Sequence, residues 1–165
     1  MIYVTVGTHL PFTRLIRGID EMAPGLNEEI SAQIGRDEYK PRHITWFDFL
    51  PPEQHYSYIE RADLVVTHAS DGAMLDIAMR AKPAIFMPRR REYREVVNDN
   101  QVDFARRLRE SNRKIMIVED VDELKEILMG DRQDIPVPMV GISPQLIEKL
   151  REAVIELSAR RTRAS

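Results

Sequence analysis

Residues 62–88 read ADLVVTHASDGAMLDIAMRAKPAIFMP, and this stretch decides the fold. Residues 64–67 form a short β-branched run that predicts a buried strand, which ends at the small polar turn 68–72. Residues 73–80 carry apolar side chains at helical spacing and predict a helix, and residues 84–87 predict a second strand. Strand, turn, helix and strand together predict one βαβ unit.

Ligands of parallel sheets bind outside the carboxyl ends of the strands, where a helix N-terminus leaves N–H groups free. We therefore expect the main site at residues 68–72 and just after Pro88. Ser70 and the N–H groups around Gly72 can hold a diphosphate, with an ordinary N-cap as the alternative for Ser70. His68 can donate to a phosphate, or it can have a purely structural role.

A second strand and glycine loop open the chain. Residues 2–6 predict a strand that runs into Gly7, Thr8 and His9, and an apolar stripe from Phe12 onward predicts the next helix. Gly7 lets the backbone approach an anion closely, and Thr8 adds a hydroxyl. A plain turn glycine is the alternative.

Polar side chains on two later helices are further candidates. Asp76 lies near the start of its helix, where a carboxylate can accept hydrogen bonds from a ribose diol or simply interact with the helix dipole. Residues 99–101 open another helix, where Asn100 and Gln101 can reach sugar hydroxyls or act as caps. The preceding arginine-rich loop, residues 89–95, is a solvated loop or a surface that attracts anions or an acidic partner.

The rest of the chain alternates strands with helices, which predicts an α/β, Rossmann-like domain over residues 1–130, with a mostly parallel sheet covered by helices on both faces. A turn is predicted at residues 24–25. Residues 131–142 hold two prolines and predict a linker. A C-terminal amphipathic helix with a basic tail, residues 143–165, either packs on the domain or docks on a partner or an anionic membrane surface. The further predicted strands and helices span residues 28–34, 43–49, 53–61, 98–110, 114–118 and 121–129.

Composition excludes several classes of function. The 165 residues carry a net charge of −3, which gives no general bias toward nucleic acid, and the absence of cysteine excludes thiol chemistry and disulfides. No apolar run approaches the roughly 20 residues that span a bilayer, and no secretion signal precedes the first strand. The four histidines lack metal-ligand spacing and there is no Walker-type loop. We therefore expect a cytoplasmic chain without metal or cofactor.

Four segments together resemble a known family: YVTVGTH at 3–9, HASDGAMLDIA at 68–78, KPAIFMP at 82–88 and NDNQ at 98–101. Over about residues 1–130 they are similar to the C-terminal, donor-binding half of MurG-like (family 28) GT-B glycosyltransferases. They resemble more closely the small soluble subunit of two-component enzymes, such as the dolichol-pathway N-acetylglucosaminyltransferase and bacterial exopolysaccharide pairs.

The resemblance also shows departures from the family's usual loop, S-H-A-G-x-G-S. In this chain Ser70 replaces the first glycine, Asp71 brings an acidic side chain into a phosphate-facing loop, and Ala73 replaces the final serine. The family's ribose-binding glutamate falls on Asp76, a shorter carboxylate. Its D-N-x-Q-type signature falls on residues 99–101 and implies contacts with the donor sugar.

By resemblance, the chain is the donor-binding subunit of an inverting UDP-sugar transferase. The acceptor site and the catalytic base are then expected on a membrane-anchored partner chain, the acceptor is lipid-linked, and the isolated chain is inactive. A non-catalytic binding or scaffold domain is the alternative. A flavodoxin-like receiver is a weaker one, since its acidic cluster after the first strand is missing. The expected UDP-sugar-binding residues are Gly7, Thr8, His9, His68, Ser70, Asp71, Gly72, Asp76, Asn100 and Gln101.

Overall fold

The computed structural model describes residues 1–8, 10–110 and 114–138, which form one six-stranded sheet and five α-helices. The expectations for His9 and for the C-terminal helix fall outside these residues. A 3-10 turn spans Arg91–Tyr93. In chain order the elements are β1 (Ile2–Thr5), α1 (Thr13–Leu26), β2 (Ile30–Gln33), β3 (Thr45–Phe47), α2 (Pro52–Arg61), β4 (Leu64–His68), α3 (Asp71–Ala78), β5 (Ala84–Met87), α4 (Asn100–Glu110), β6 (Met116–Ile117) and α5 (Val121–Met129).

The sheet is parallel throughout, with the strand order β3-β2-β1-β4-β5-β6. Every residue of β1, β2 and β5 is buried, as expected for parallel strands covered on both faces. In the register of the central strands, Thr5 of β1 lies beside Gln33 of β2 and Thr67 of β4. This topology confirms the predicted Rossmann-like α/β class.

Two apolar cores lie on opposite faces of the sheet. On one face α1 and α5 pack against alternate strand residues, and on the other face α2, α3 and α4 do so. The contact between α1 and α5 is close, because a Cβ built on Gly18 would lie 2.4 Å from Val121 Cγ1. The presence of helices on both faces of the sheet confirms the prediction.

The predicted turn at residues 24–25 is wrong, because α1 continues through Pro24 to Leu26. Pro24 lacks the N–H for one helical hydrogen bond, which usually destabilises a helix. Here Ala23 and Leu26 pack against the core, so burial of the last turn outweighs the lost bond. The helix ends at Asn27, which adopts a left-handed conformation with φ of 50°.

The segment after α5 lies against the domain as far as it is described. Ile135 joins the core beside α1 and α5, and the Pro136 carbonyl accepts a hydrogen bond from the Ala84 amide at 3.3 Å. Among the described residues, no helix has both the length and the hydropathy needed to cross a bilayer.

Candidate functional site

The two predicted loops meet at one cleft between neighbouring strands. β1 leads to α1 on one face of the sheet and β4 leads to α3 on the other, so the strand order reverses between them. Open α/β sheets bind ligands at this switch point. A cleft of about 670 Å³ lies there, within the usual range for a small-molecule site.

Most of the predicted site residues line this cleft. Asp71 and Asn100 do not; both are exposed outside it. His9 lies outside the described residues. The lining residues among those predicted are Gly7, Thr8, His68, Ser70, Gly72, Asp76 and Gln101.

Backbone N–H groups at the start of α3 form one end of the cleft. Ser70 is the N-cap, and its Oγ accepts a hydrogen bond from the Ala73 amide at 3.3 Å. The helix geometry leaves the amides of Asp71 and Gly72 without an intrahelical acceptor. These two N–H groups, with the positive end of the helix dipole, can hold an anion.

At the N-terminus of α1, by contrast, a side chain already accepts hydrogen bonds from the helix start. Asp37 is buried, and its carboxylate accepts hydrogen bonds from the Phe12 amide at 3.0 Å and the Thr13 hydroxyl at 2.8 Å. A negative charge therefore already occupies this helix N-terminus. The first loop consequently contributes Gly7 and Thr8 to the cleft, but no free helix start.

Position 7 must be a glycine because the His68 side chain lies against it. Its φ of +76° is unfavourable for other residues, and a Cβ built there would lie 3.0 Å from Cε1 of the imidazole. The imidazole thus packs directly under the first loop. Gly7 brings the two loops into contact without any ligand.

Hydrogen bonds engage both nitrogens of His68 inside the protein. Thr67 Oγ1 donates to the Thr5 carbonyl at 2.7 Å, so it accepts from His68 Nδ1 at 3.2 Å. The other nitrogen, Nε2, then accepts from Ser70 Oγ at 3.0 Å. Burial, assisted by the nearby Arg89 charge, lowers the pKa of His68 to about 4 and keeps the ring neutral. This geometry favours the structural role for His68. It also means that the Ser70 hydroxyl already donates its proton to a group of the protein.

The neutral His68 predicts that stability falls in mild acid. Its folded-state pKa lies below the ordinary 6.5, so between pH 6.5 and about 4 the unfolded chain binds a proton that the folded chain does not. The free energy of unfolding should therefore fall by about 3 kcal/mol from this residue as pH drops through that window. Urea unfolding at stepwise pH values measures the loss. His68→Asn should flatten the profile relative to the parent; equal slopes in the two proteins would contradict this origin.

Arg89 is buried beside the same cleft, so the prediction of a surface loop at residues 89–95 is wrong at its ends. Arg89 is 3% exposed and Glu95 is 4% exposed. The guanidinium donates to the carbonyls of Pro11 at 2.6 Å, Glu95 at 3.2 Å and Val6, and lies 4.7 Å from the Phe12 ring centre. Burial lowers the pKa of Arg89 to about 10, so the side chain keeps its positive charge at neutral pH.

Glu95 holds the other end of the arginine loop. Its carboxylate accepts two hydrogen bonds from Arg14, both at 2.9 Å, and one from the Arg90 amide at 2.9 Å. Arg14 also donates to the Pro88 carbonyl at 3.1 Å. Both ends of the loop are therefore anchored by buried charges, while Arg91 to Tyr93 between them stay exposed.

Gln101 is oriented by the backbone at the end of β5. Its Oε1 accepts a hydrogen bond from the Arg89 amide at 3.1 Å, which leaves its NH₂ group to the cleft. Asp99 and Asn98 instead make local bonds to the backbone, with the amides of Arg91 and Asn100. Of the predicted pair, Gln101 is placed to meet a ligand and Asn100 is not.

The far end of the cleft is mainly apolar. Leu50, Tyr56, Ile59 and Ile77 line it, and Asp76 joins them from the second turn of α3. Asp76 is too far along the helix for the first-turn dipole role. Among the described residues, its carboxylate makes no hydrogen bond or ion pair, so it is open to a ligand's hydroxyls.

The lining residues outside the predicted set include the polar side chains of Gln33, His55 and Arg89. Gln33 stands in a predicted strand, His55 in a predicted helix, and Arg89 in a run of charges. Position at the carboxyl end of a strand was the one available indication for Gln33.

No group of three or more His, Cys, Asp or Glu side chains within residues 1–8, 10–110 and 114–138 can hold a metal ion.

Comparison with known proteins agrees with this geometry. The family described as "Glycosyltransferase family 28 C-terminal domain" matches residues 1–126. The chain belongs to this family. No curated protein matches the family 28 chain by sequence.

Solved structures share the fold of this family 28 domain. ALG13, determined by NMR, is 17% identical with a TM-score of 0.57, over 90% of this chain and 93% of that one. SsfS6 of Streptomyces sp. SF2575, complexed with thymidine diphosphate, is 17% identical with a TM-score of 0.55, over 96% and 37%. The glycotransferase of kitacinnamycin is 18% identical with a TM-score of 0.53, over 95% and 39%. The family 28 chain therefore corresponds to less than half of the two larger enzymes.

Proposed function

We propose that the chain is the donor-binding subunit of a two-component, inverting glycosyltransferase that transfers a sugar from a UDP-sugar to a lipid-linked acceptor. The observation that carries the proposal is the arrangement along α3. Among the described residues nothing accepts from its first two N–H groups at the switch point, and the open carboxylate of Asp76 follows five residues after Asp71. Five residues advance about 7.5 Å along a helix, so one element can bind both a diphosphate and the adjoining ribose.

The donor fits the cleft in one direction. The pyrimidine lies at the apolar end beside Leu50 and Tyr56, the ribose diol donates to Asp76, and the diphosphate accepts from the amides of Asp71 and Gly72. The sugar then extends toward Gln101. As the bond to the sugar breaks, the amides and the helix dipole stabilise the charge that develops on the leaving UDP.

The catalytic base belongs to the partner in this proposal. His68 is neutral, but its acceptor nitrogen is already bonded to Ser70, and the Glu95 carboxylate is bonded to Arg14 and to the Arg90 amide. The proposal places the acceptor site on a membrane-anchored partner and this chain in the cytoplasm, at the membrane through that partner. The similarity in length to ALG13 and the pyrimidine nucleotide bound by SsfS6 support it.

A non-catalytic binding or scaffold domain is the second candidate. Two observations favour it: the Ser70 hydroxyl is engaged inside the protein, and Asp71 places a negative charge at the anion-binding end. Joint replacement of Asp76 and Gln101 by alanine separates the candidates. A scaffold keeps its partner and its cellular role, whereas a transferase subunit keeps its partner and loses transfer.

Calorimetry tests the proposal directly. The full chain is titrated with UDP and with UDP-sugars, alone and together with the product of a neighbouring reading frame that encodes an N-terminal membrane helix and a Rossmann-like pattern. We expect UDP to bind the chain alone and sugar transfer to need both chains. Failure of every uridine nucleotide to bind, with or without that partner, would remove the proposal.

Gly72→Ala should separate binding from folding. A Cβ on Gly72 meets nothing within 4 Å, so the protein itself has room for a methyl group. Because alanine restricts the unfolded chain, the variant should be more stable by about 0.5 to 1 kcal/mol. Gly72 lines the cleft and in this proposal its own amide holds the diphosphate, so the added methyl group should crowd the phosphates and weaken UDP binding about tenfold. Thermal melting and calorimetry on one preparation check both effects; unchanged affinity would place the phosphates elsewhere.

A further inference from the structure

Three side chains of the cleft share one hydrogen-bonding pattern. In each, the acceptor atom is engaged by a donor of the protein: Gln33 Oε1 by the Leu50 amide at 2.9 Å, His55 Nδ1 by the Tyr3 hydroxyl at 2.8 Å, and Gln101 Oε1 by the Arg89 amide at 3.1 Å. What each can offer the cleft is therefore a donor N–H. Gln101 lies toward the arginine loop, so Gln33 and His55 form a separate pair.

The tautomer of His55 follows from Tyr3. Burial raises the pKa of the Tyr3 hydroxyl, while a hydrogen bond from the Thr5 side chain lowers it, and the phenol keeps its proton. The phenol is fully buried and its oxygen lies 2.8 Å from His55 Nδ1, so its proton goes to that nitrogen, because a buried hydroxyl proton left without an acceptor is costly. Burial lowers the pKa of His55, with Arg80 acting in the same direction and Asp76 opposing, so the ring is neutral. A neutral ring that accepts at Nδ1 carries its hydrogen on Nε2.

The Gln33 side chain is also fixed in its place by the surrounding protein. It is 5% exposed and ends β2, where it pairs with Thr5. Thr5 lies two residues after Tyr3 on β1, so the side chains of Tyr3, Thr5 and Gln33 project from the same face of the sheet. His55 packs against that face from α2, and its ring centre lies 5.7 Å from that of Tyr3. The pair thus stands at the cleft end that also holds Leu50 and Tyr56.

We propose that Gln33 and His55 select the base of the donor by donating hydrogen bonds to the two carbonyl oxygens of a uracil-type pyrimidine. This inference rests on the proposed function. Among apolar side chains, a base carbonyl without a donor is costly, and two fixed donors satisfy two carbonyls. Cytosine replaces one carbonyl by an amino group, so a donor would then face a donor. The pair therefore rejects cytidine nucleotides as well as accepting uridine nucleotides.

The first test needs no substitution. Calorimetry on the full chain compares UDP with CDP, which differ only in the base. One mismatched, buried donor should weaken CDP binding at least about tenfold. Equal affinity for UDP and CDP would overturn the inference and leave the proposed function standing, whereas no binding of either nucleotide would overturn both.

Gln33→Glu tests the donor itself. The substitution keeps the shape and the acceptor for the Leu50 amide, but replaces the NH₂ donor by an oxygen. We expect UDP to weaken about tenfold and the preference for UDP over CDP to shrink or reverse. Gln54→Glu is the matched control, since Gln54 is exposed on α2 and does not line the cleft. An unchanged preference in a Gln33→Glu protein that melts normally would overturn the assignment of Gln33.

His55→Phe tests the second donor. The substitution keeps an aromatic ring at this position but removes both nitrogens, so the Tyr3 hydroxyl loses its acceptor. The double variant Tyr3→Phe/His55→Phe removes that stranded hydroxyl as well. We expect both proteins to lose UDP affinity about tenfold, with the double variant recovering stability. Recovery of UDP affinity along with stability would show that His55 is structural and would overturn its role in base selection.

Discussion

Arg89→Met should lower the free energy of unfolding by about 4 kcal/mol. The guanidinium supplies hydrogen bonds to the carbonyls of Val6, Pro11 and Glu95, and each buried acceptor left alone costs about 1 to 3 kcal/mol. Relief of the buried charge offsets part of this sum. The loss should appear in urea unfolding at neutral pH. Because Val6 leads directly into Gly7, the variant should also lose order in the first loop and bind UDP more weakly.

Arg91→Met is the control for this substitution. Arg91 belongs to the same arginine run, but its side chain is exposed and makes no hydrogen bond or ion pair with the described residues; only its backbone is engaged, by Asp99 and by the Arg94 amide. Its replacement should change stability by no more than about 0.5 kcal/mol. Similar small effects at both positions would mean that the arginine run is a solvated loop, as the sequence alone indicated, and that Arg89 does not anchor the cleft.

Asp76→Ala should weaken UDP binding about 100-fold. Two hydrogen bonds from a ribose diol to a carboxylate contribute at least about 1.5 kcal/mol each, and the resulting minimum of about 3 kcal/mol corresponds to two orders of magnitude. Among the described residues its carboxylate makes no hydrogen bond or ion pair, so the melting temperature should change little. Calorimetry with UDP, with uridine as a second ligand, measures the loss; uridine should lose the same factor because it keeps the diol.

Asp71→Ala is the matched control on the same helix. Asp71 is exposed, lies in the first turn and does not line the cleft. Removing its negative charge should destabilise α3 by about 0.3 to 1 kcal/mol and leave UDP affinity equal or slightly higher. The two substitutions should therefore differ by about two orders of magnitude in UDP affinity. If Asp71→Ala cost as much affinity as Asp76→Ala, the carboxylate that holds the ribose would have been assigned wrongly.

The fold could be predicted because the strands at the centre of the sheet are short, buried runs of mostly apolar residues. Residues 64–67 and 84–87 show this clearly, and the loops at their ends follow from the parallel topology. The turn predicted at Pro24 is wrong for a reason that the hydrophobic periodicity of the sequence cannot reveal. The last turn of α1 gains burial from Leu26, whose contact partner lies elsewhere in the chain.

The candidate site was harder to predict than the fold. The positions of Gly72, Asp76 and Gln101 followed from the resemblance and from the strand ends. Arg89 did not, because a run of three arginines looks the same whether one guanidinium is buried or all are solvated. Its burial depends on carbonyls of the first loop, which lie about 80 residues away in sequence.

Hydrogen-bond direction was also invisible in the sequence. The sequence allowed His68 either to donate to a phosphate or to have a structural role, and the choice depends on Thr67 donating to the Thr5 carbonyl. The same holds for Gln33 and His55, whose donor groups face the cleft because Leu50 and Tyr3 engage their acceptors. Only spatial neighbours fix such directions.

A crystal structure of the full chain with UDP tests the central claim most directly. The proposed function predicts diphosphate oxygens about 3 Å from the backbone nitrogens of Asp71 and Gly72, and ribose hydroxyls at the same distance from the Asp76 carboxylate. A saturated crystal in which UDP lies away from the start of α3, or in which the cleft between β1 and β4 stays empty, would contradict it.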